Sequence, residues 1–266
     1  MHSGVANDEG DQVLGRVQSL VRAFALLDEL AMTQGLSLSE LTRRVKLPRS
    51  TVHRLLTTME AMRYVEFHRN RHEWAIGLQA YTVGAAFAQS RDLGQLGRPI
   101  MRSLMSEVDH PINFVLPGLG GMYYVAQETA EGGSRPFIRT GARLPMHTTA
   151  SGKVLMAHWQ DDELERFLDR RFFEKSTARS IVAPAALRDE LGTIRNRGYA
   201  IDDEEHADGL RCVAAIVFDR HGLPKAALSI SDSVGRLSQS RIDEMGPTLV
   251  HTANQMSREI ASQLGF

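Results

Sequence analysis

The sequence predicts an α+β chain in two parts. A small N-terminal winged helix-turn-helix leads through a linker helix to a larger C-terminal domain of antiparallel strands and helices. Three observations carry that prediction. Helix-spaced apolar residues with a capping signal and a Leu-Pro turn fill positions 18–62. Two short strand-like runs around a basic turn follow at 65–76. Beyond residue 93, strand-like runs alternate with longer helical stripes. The boundaries read as 12–77 for the winged unit, 78–92 for the linker and 93–266 for the second domain.

Residues 1–11 are rich in Gly, Asp and Asn, so they are expected to lack fixed structure. From Gln18 to Leu30, Val21, Phe24, Leu27 and Leu30 recur at helical spacing, and Leu20, Ala23 and Leu26 widen the stripe. Gly35 closes that helix. Ser37 then stands as an N-cap with Glu40 three residues on, which opens a helix over 38–45. Lys46-Leu47-Pro48 forms the turn, because proline suits a helix start and not a helix interior. A longer helix over 49–62 puts Val52, Leu55, Leu56 and Met59 on one face. Positions 65–67 and 74–76 read as strands, with Arg69-Asn70-Arg71-His72 at their tip. The alanine-rich stretch 78–89 reads as the linker helix.

The second domain opens with a helix striped by Leu96, Ile100, Leu104 and Val108. A hairpin is expected from 112–116 and 122–126 across a glycine-rich turn, then a strand over 135–140 and a loop over 141–149. Helices are expected at 151–158, 163–168 and 184–197, the last ending at Gly198. Strands at 211–218 and 225–231 and a long helix over 239–263 complete the reading.

Charge then narrows the function. The segment from Arg43 to His72 holds eight Lys and Arg against two Glu, a local +6, whereas the whole 266-residue chain carries −1. A basic patch on a nearly neutral protein points to localised contact with one polyanion, the DNA duplex, and excludes a histone-like coat of positive charge. An apolar content of 42% argues against disorder. No run approaches the roughly 18 uncharged apolar residues of a membrane span. The opening MHSGVANDEGDQ lacks the order of a signal peptide. The single cysteine, Cys212, rules out an intrachain disulfide and suits the cytoplasm.

In a helix-turn-helix the first turn of the second helix meets base edges. That assigns Arg49, Ser50, Thr51 and Arg54 to bases, with His53 alongside. Arg43, Arg44 and Lys46, on the preceding helix and turn, are placed for phosphates, and Arg69 and Arg71 at the wing tip for backbone or minor groove. One such unit has a small footprint, so a dimer on paired half-sites is expected.

In the second domain a small polar pocket is expected. The loop 141–149 enters a helix through Ala150, Ser151 and Gly152, small residues that permit close approach at a helix start able to attract an anion. Asp202-Asp203-Glu204-Glu205-His206 lies further on, and strand alternation puts Ser229 and Ser231 on one face. A carboxylate or carbonyl compound would satisfy such groups. Their plainer readings are local backbone bonding for the serines, a small buried hydrophobe for Cys212 and a solvated acidic run. No HExxH, GxSxG, Walker lysine loop or GxGxxG is present. His206, Asp208, Cys212 and His221 match no metal-ligand spacing, so neither a metal, a cofactor nor a catalytic pair is expected.

The stretches QSLVRAFALLDEL, LSLSELTRRVKLPRSTVHRLLTTM, RTGARLPMHTTASGKVLMA, IDDEEHADGLRCVAAIVFDRHG and AALSISDSVGRLS together resemble the IclR family of bacterial transcriptional regulators. The resemblance covers residues 18–265. It implies a winged helix-turn-helix, a linker helix and a GAF-like effector domain, joined in homodimers or homotetramers. It also implies repression or activation of catabolic genes under control of small organic or aromatic acids. The family's effector site falls on Leu144, Met146, Ala150, Ser151, Gly152, Asp202, Cys212, Ser229 and Ser231. The pattern DDEEH…GLRC…SIS is most similar to regulators of acetate/glyoxylate and allantoin use, which implies an effector such as glyoxylate or pyruvate. Phe114, Tyr123, Tyr124 and Phe137 leave an aromatic acid as the alternative, with Phe114 and Tyr124 read as core packing. A glycine-rich stretch at 130–135 and His110-Pro111 depart from the family pattern. A small-acid enzyme with an accessory basic domain is the remaining alternative, disfavoured by the missing nucleophile and metal set.

Overall fold

The computed structural model describes residues 17–90, 93–118, 120–130, 137–169 and 173–263, with the side chains of 87–96, 262 and 263 left aside. The N-terminal tail and most of the glycine-rich stretch before Phe137 lie outside the described residues. The chain divides into two compact units, Met1–Phe87 and Ala88–Phe266.

The first unit contains α1 (Gln18–Ala31), α2 (Leu38–Val45), α3 (Arg49–Ala61), β1 (Val65–His68), β2 (Glu73–Ile76) and the start of α4 (Leu78–Ser90). Ser37 caps α2 in both directions: its hydroxyl accepts from the Glu40 N–H, and its own N–H donates to the Glu40 carboxylate at 2.9 Å. The Ser37 hydroxyl, which donates to Glu40 Oε2 at 2.6 Å, and then the Ser37 N–H hold the Glu40 carboxyl below its ordinary range. Lys46, left-handed at φ 52°, ends α2 and sets up the turn into α3. Leu26, Leu30, Leu41, Val52, Leu56, Met59, Val65 and Trp74 form the core. Leu36 adds an isolated antiparallel bridge to Trp74 beside the two expected strands. The stripe expected along α1 is buried only at its C-terminal end. Leu20, Val21 and Phe24 are 54%, 49% and 61% exposed, because the core ends near Leu26.

The second unit contains α5 (Leu93–Val108), β3 (Ile112–Gly118), β4 (Gly121–Glu128), β5 (Arg143–Leu144), α6 (Ala150–Met156), α7 (Asp161–Leu168), α8 (Pro184–Arg197), β6 (Tyr199–Asp203), β7 (Leu210–Phe218), β8 (Pro224–Ser233) and α9 (Gln239–Gln263). The strands form one antiparallel sheet in the order β5-β4-β3-β8-β7-β6. Helices α5 and α9 cover one face around Leu104, Phe114, Val213, Leu228 and Leu249. Helices α6, α7 and α8 cover the other around Tyr124, Val154, Leu168, Leu191 and Ala214.

Two sequence expectations fail here. No strand forms over 137–140, the described part of the run read as 135–140; the strand is β5, inside the expected loop. Gly141, at φ +87°, turns the chain so that residues 141 and 142 bond to Tyr124 instead. Strand β6 was read only as an acidic run, yet Tyr199, Ala200 and Asp202 are buried in the sheet.

Gly152 shows why the loop at Met146 can fold back against the first turn of α6. A Cβ there would sit 2.1 Å from the Met146 carbonyl oxygen, while Thr149 caps the helix by accepting from the Gly152 N–H. Gly152→Ala must push backbone apart, so it should cost about 1–3 kcal/mol. Thermal unfolding followed by circular dichroism checks this, and an unchanged Tm would contradict the packing.

Candidate functional site

The basic surface of the first unit is assembled from α2, the turn, α3 and the wing. Arg43, Arg44, Lys46, Arg49, Ser50, His53, Arg54, Arg69 and Arg71 are all exposed, while Thr51 is half-buried. Helix α3 opens without a side-chain cap, leaving its first N–H groups available to an anion. Two of the arginines are already engaged. Arg44 pairs with Glu29 of α1 at 3.1 Å, and Arg49 Nη1 donates to Ser39 Oγ at 3.1 Å. Ser39, which sequence reasoning passed over, thus shares the surface with the α3 side chains.

The second site lies on the sheet face under α6. In an antiparallel sheet, directly paired residues share a face. Cys212 pairs with both Asp202 and Ser231, and Asn113 pairs with both Ser229 and Gln127. The register therefore lays a polar patch across five strands. Tyr124 joins it through a bulge: β4 skips Val125 between the pairs Phe114–Ala126 and Val115–Tyr124. Without that extra residue Tyr124 would share the face of Ala126, toward α5 and α9.

From α6 comes Lys153, fully buried and ion-paired with Glu205. Glu190 lies 3.9 Å away on the same ammonium. Asp202 Oδ1 accepts from the N–H groups of Glu205 and His206 at 2.7 and 3.2 Å. Its Oδ2 has no hydrogen-bond partner, nor do Thr148 Oγ1, Ser151 Oγ, Glu205 Oε2 or His206 Nδ1 among the described residues. Buried polar atoms ordinarily find partners, so a concentration of unsatisfied ones marks a place for a polar ligand. Burial, then the neighbouring Glu205 charge, pushes the Asp202 carboxyl up to about 7, and Lys153 only partly opposes them. Burial also pushes up the Cys212 thiol and the Tyr124 phenol, keeping both neutral. Ser151 lies close enough to temper the Tyr124 shift, although no well-formed bond joins the two.

A strap closes one side. Thr177 Oγ1 donates to the Glu204 carbonyl at 2.6 Å, Ser180 Oγ to the Glu205 carbonyl at 2.7 Å, and His147 Nε2 to the Glu174 carbonyl at 2.8 Å. A cleft of about 880 Å³ opens beside the patch, between the β3–β4 turn, residues 143–147 and α7. It shares Leu144 and Met146 with the expected site but none of the polar members. The buried polar side chains of the expected site lie in the patch and not in the lining of this cleft.

The structure thus brings Ser151, Asp202, Cys212, Ser229 and Ser231 to one sheet-and-helix interface, with Ala150 and Gly152 on the same helix. Leu144 and Met146 sit at the cleft edge. Sequence reasoning missed Asn113, Gln127 and Lys153, held Glu205 only as part of an acidic run, and favoured core packing over cavity lining for Tyr124. Strand alternation from Ser229 and Ser231 could have led to Asn113 once the pairing was known. No group of three or more His, Cys, Asp or Glu able to hold a metal is present among the described residues.

The Asp202 shift has a consequence for stability. The folded state holds a proton that the unfolded carboxyl gives up near 3.8. Its contribution is complete below that value and is lost as pH rises through about 7. Asp202→Asn can keep both backbone acceptor bonds, so its Tm should gain on wild type between about pH 5 and 8. A constant Tm difference across that window would contradict the buried, protonated carboxyl.

Comparison with known proteins finds a family match for each part of the chain. The IclR helix-turn-helix domain matches residues 19–69, and the bacterial transcriptional regulator IclR C-terminal domain matches residues 85–258. The transcriptional repressor IclR of Escherichia coli (strain K12) is 37% identical over 246 residues, spanning 91% of this chain and 90% of that protein. The acetate operon repressor of Salmonella typhimurium is 36% identical over 248 residues, spanning 92% and 90%. The crystal structure of an IclR transcriptional regulator from Alicyclobacillus acidocaldarius shares the fold, with a TM-score of 0.81 at 20% identity over 92% of this chain and all of that one. No helix among the described residues is long and apolar enough to cross a membrane. The chain belongs to the IclR family of bacterial transcriptional regulators, which are DNA-binding proteins and not enzymes.

Proposed function

We propose that the chain is a cytoplasmic repressor of a catabolic operon, released from its operator by a small organic acid such as glyoxylate or pyruvate. The observation that carries the acid is the enclosed patch, where serine hydroxyls and unsatisfied polar atoms meet beneath α6. The named function of the Salmonella typhimurium relative, acetate operon repression, supports a catabolic target. Enclosure between a sheet and a close-packed helix favours a small acid over an aromatic one.

On the DNA side, Arg49, Ser50, Thr51 and Arg54 read base edges and Arg43 and Lys46 hold phosphates. Arg69 and Arg71 extend the contact from the wing, and His53 flanks it. Arg44 reaches phosphate only by leaving Glu29, and Arg49 reaches a base only by leaving Ser39. Both partners are exposed enough for such exchange. The apolar side chains exposed on α1, with Leu78 and Tyr81 of α4 also exposed, support a homodimer, itself able to pair into a homotetramer.

Lys46→Ala should weaken binding to every duplex and lower the salt slope by about one unit, whereas Arg49→Ala should narrow the gap between cognate and random DNA. Footprinting on DNA flanking the protein's own gene supplies the operator, and anisotropy titrations check both. Equal losses on both duplexes for Arg49→Ala would remove its base-reading role. Replacing Ser229 and Ser231 together with alanine should abolish the acid's effect on operator binding. An undiminished acid response in that variant would reject the pocket.

A further inference from the structure

One hydrogen-bond chain in the patch has its polarity fixed by an atom that can only accept. Gln127 Nε2 donates to the Ile138 carbonyl at 2.9 Å, and a backbone carbonyl has no proton to return. The same nitrogen gives its second proton to Asn113 Oδ1 at 2.7 Å. The Asn113 oxygen is thereby committed toward β4, so its amide nitrogen faces β8. There Nδ2 lies 3.0 Å from Ser231 Oγ and 3.5 Å from Ser229 Oγ. Both serine oxygens receive Asn113 protons, and their own hydroxyl protons must point elsewhere. Directly opposite Ser231 in the register stands the Cys212 thiol, only a weak acceptor for that proton. Asn113 and Ser229 are fully buried, so bulk water does not randomise the arrangement.

We propose that Asn113, oriented by Gln127, is the positioning residue that makes Ser229 and Ser231 donors to the carboxylate of the acid held in this patch. The inference rests on the acid-effector reading above and adds a source of selectivity. Hydroxyls whose oxygens are already occupied donate to an anion, a stronger acceptor than a thiol, and discriminate against groups that must themselves donate.

The test is calorimetric titration of the full-length protein with pyruvate, glyoxylate and benzoate, each beside its neutral amide. Gln127→Glu puts an acceptor in place of the donating amide. Asn113 should then turn over, present its oxygen to the serines and draw their protons away from the ligand. Gln127→Met removes the same bonds without reversing their sense, and Gln127 is only partly buried, so both variants are tolerable. Gln127→Glu should weaken the acid that wild type binds about tenfold or more and reduce its preference over the amide. Gln127→Met should do markedly less. Asn113→Asp should act in the same direction at closer range; if circular dichroism shows it unfolded, the Gln127 pair decides. Equal losses for Gln127→Glu and Gln127→Met, or an unchanged acid-to-amide preference, overturn this inference and leave the effector reading intact. A wild-type protein that binds none of the three acids overturns both.

Discussion

The Lys153–Glu205 ion pair is the constraint around which the second unit is arranged. Taking two charges out of water costs several kcal/mol per ion, recovered only with good geometry and further hydrogen bonds. Lys153 reaches Glu205 because α6 lies against the sheet, and the loop before α6 folds back on its first turn because Gly152 has no Cβ to strike the Met146 backbone. The strap through Thr177 and Ser180 holds the backbone of Glu204 and Glu205 in place. With Lys153 and Glu205 balancing each other, the Asp202 carboxyl has no cation of its own. It therefore holds its proton up to about 7. A second carboxylate brought beside it meets a protonated acid, because like charges at short range cannot both ionise.

A ligand alters DNA affinity only through a difference in its affinity for two arrangements of the protein. On the proposed reading, each unit contributes a physical means to that difference. The patch joins elements distant in sequence, from Asn113 on β3 to Ser231 on β8 and Ser151 on α6, so one small ligand can bias the fit of a helix on a sheet. Helix α4 runs out of the first unit into the second, making it the covalent path between the two. In the first unit, Arg44 and Arg49 are held by weak exposed partners that a phosphate or a base can replace.

Much of this was legible in the sequence where local chemistry decides structure. The Ser37–Glu40 capping box, the Leu-Pro turn and the 3.6-residue stripes placed α2 and α3 almost to the residue, and Pro184 with Gly198 bounded α8. The shared face of Ser229 and Ser231 followed from strand alternation. Failures came where tertiary contacts decide. Strand β5 is only two residues long and exists through pairing with β4, a signal no local pattern carries. The acidic run at 202–205 hid β6, since carboxylates are expected outside unless a buried lysine sits opposite. Tyr124 was unreadable because the bulge at Val125 breaks the period of two on which the reading relied. Asn113 and Gln127 became visible only once the sheet register was known. The stripe on α1 was read as core, although its N-terminal half extends beyond what one chain covers.

An acid held in an enclosed site whose charge is already balanced requires Asp202 to keep its proton beside it. The most direct measurement is the proton uptake that accompanies acid binding, obtained by calorimetry in buffers of different ionisation enthalpy. Uptake should be near zero at about pH 6, rise toward about one proton at about pH 8 and be absent in Asp202→Asn. Binding without proton uptake at the higher pH, or with uptake that persists in Asp202→Asn, would contradict a protonated Asp202 beside the acid.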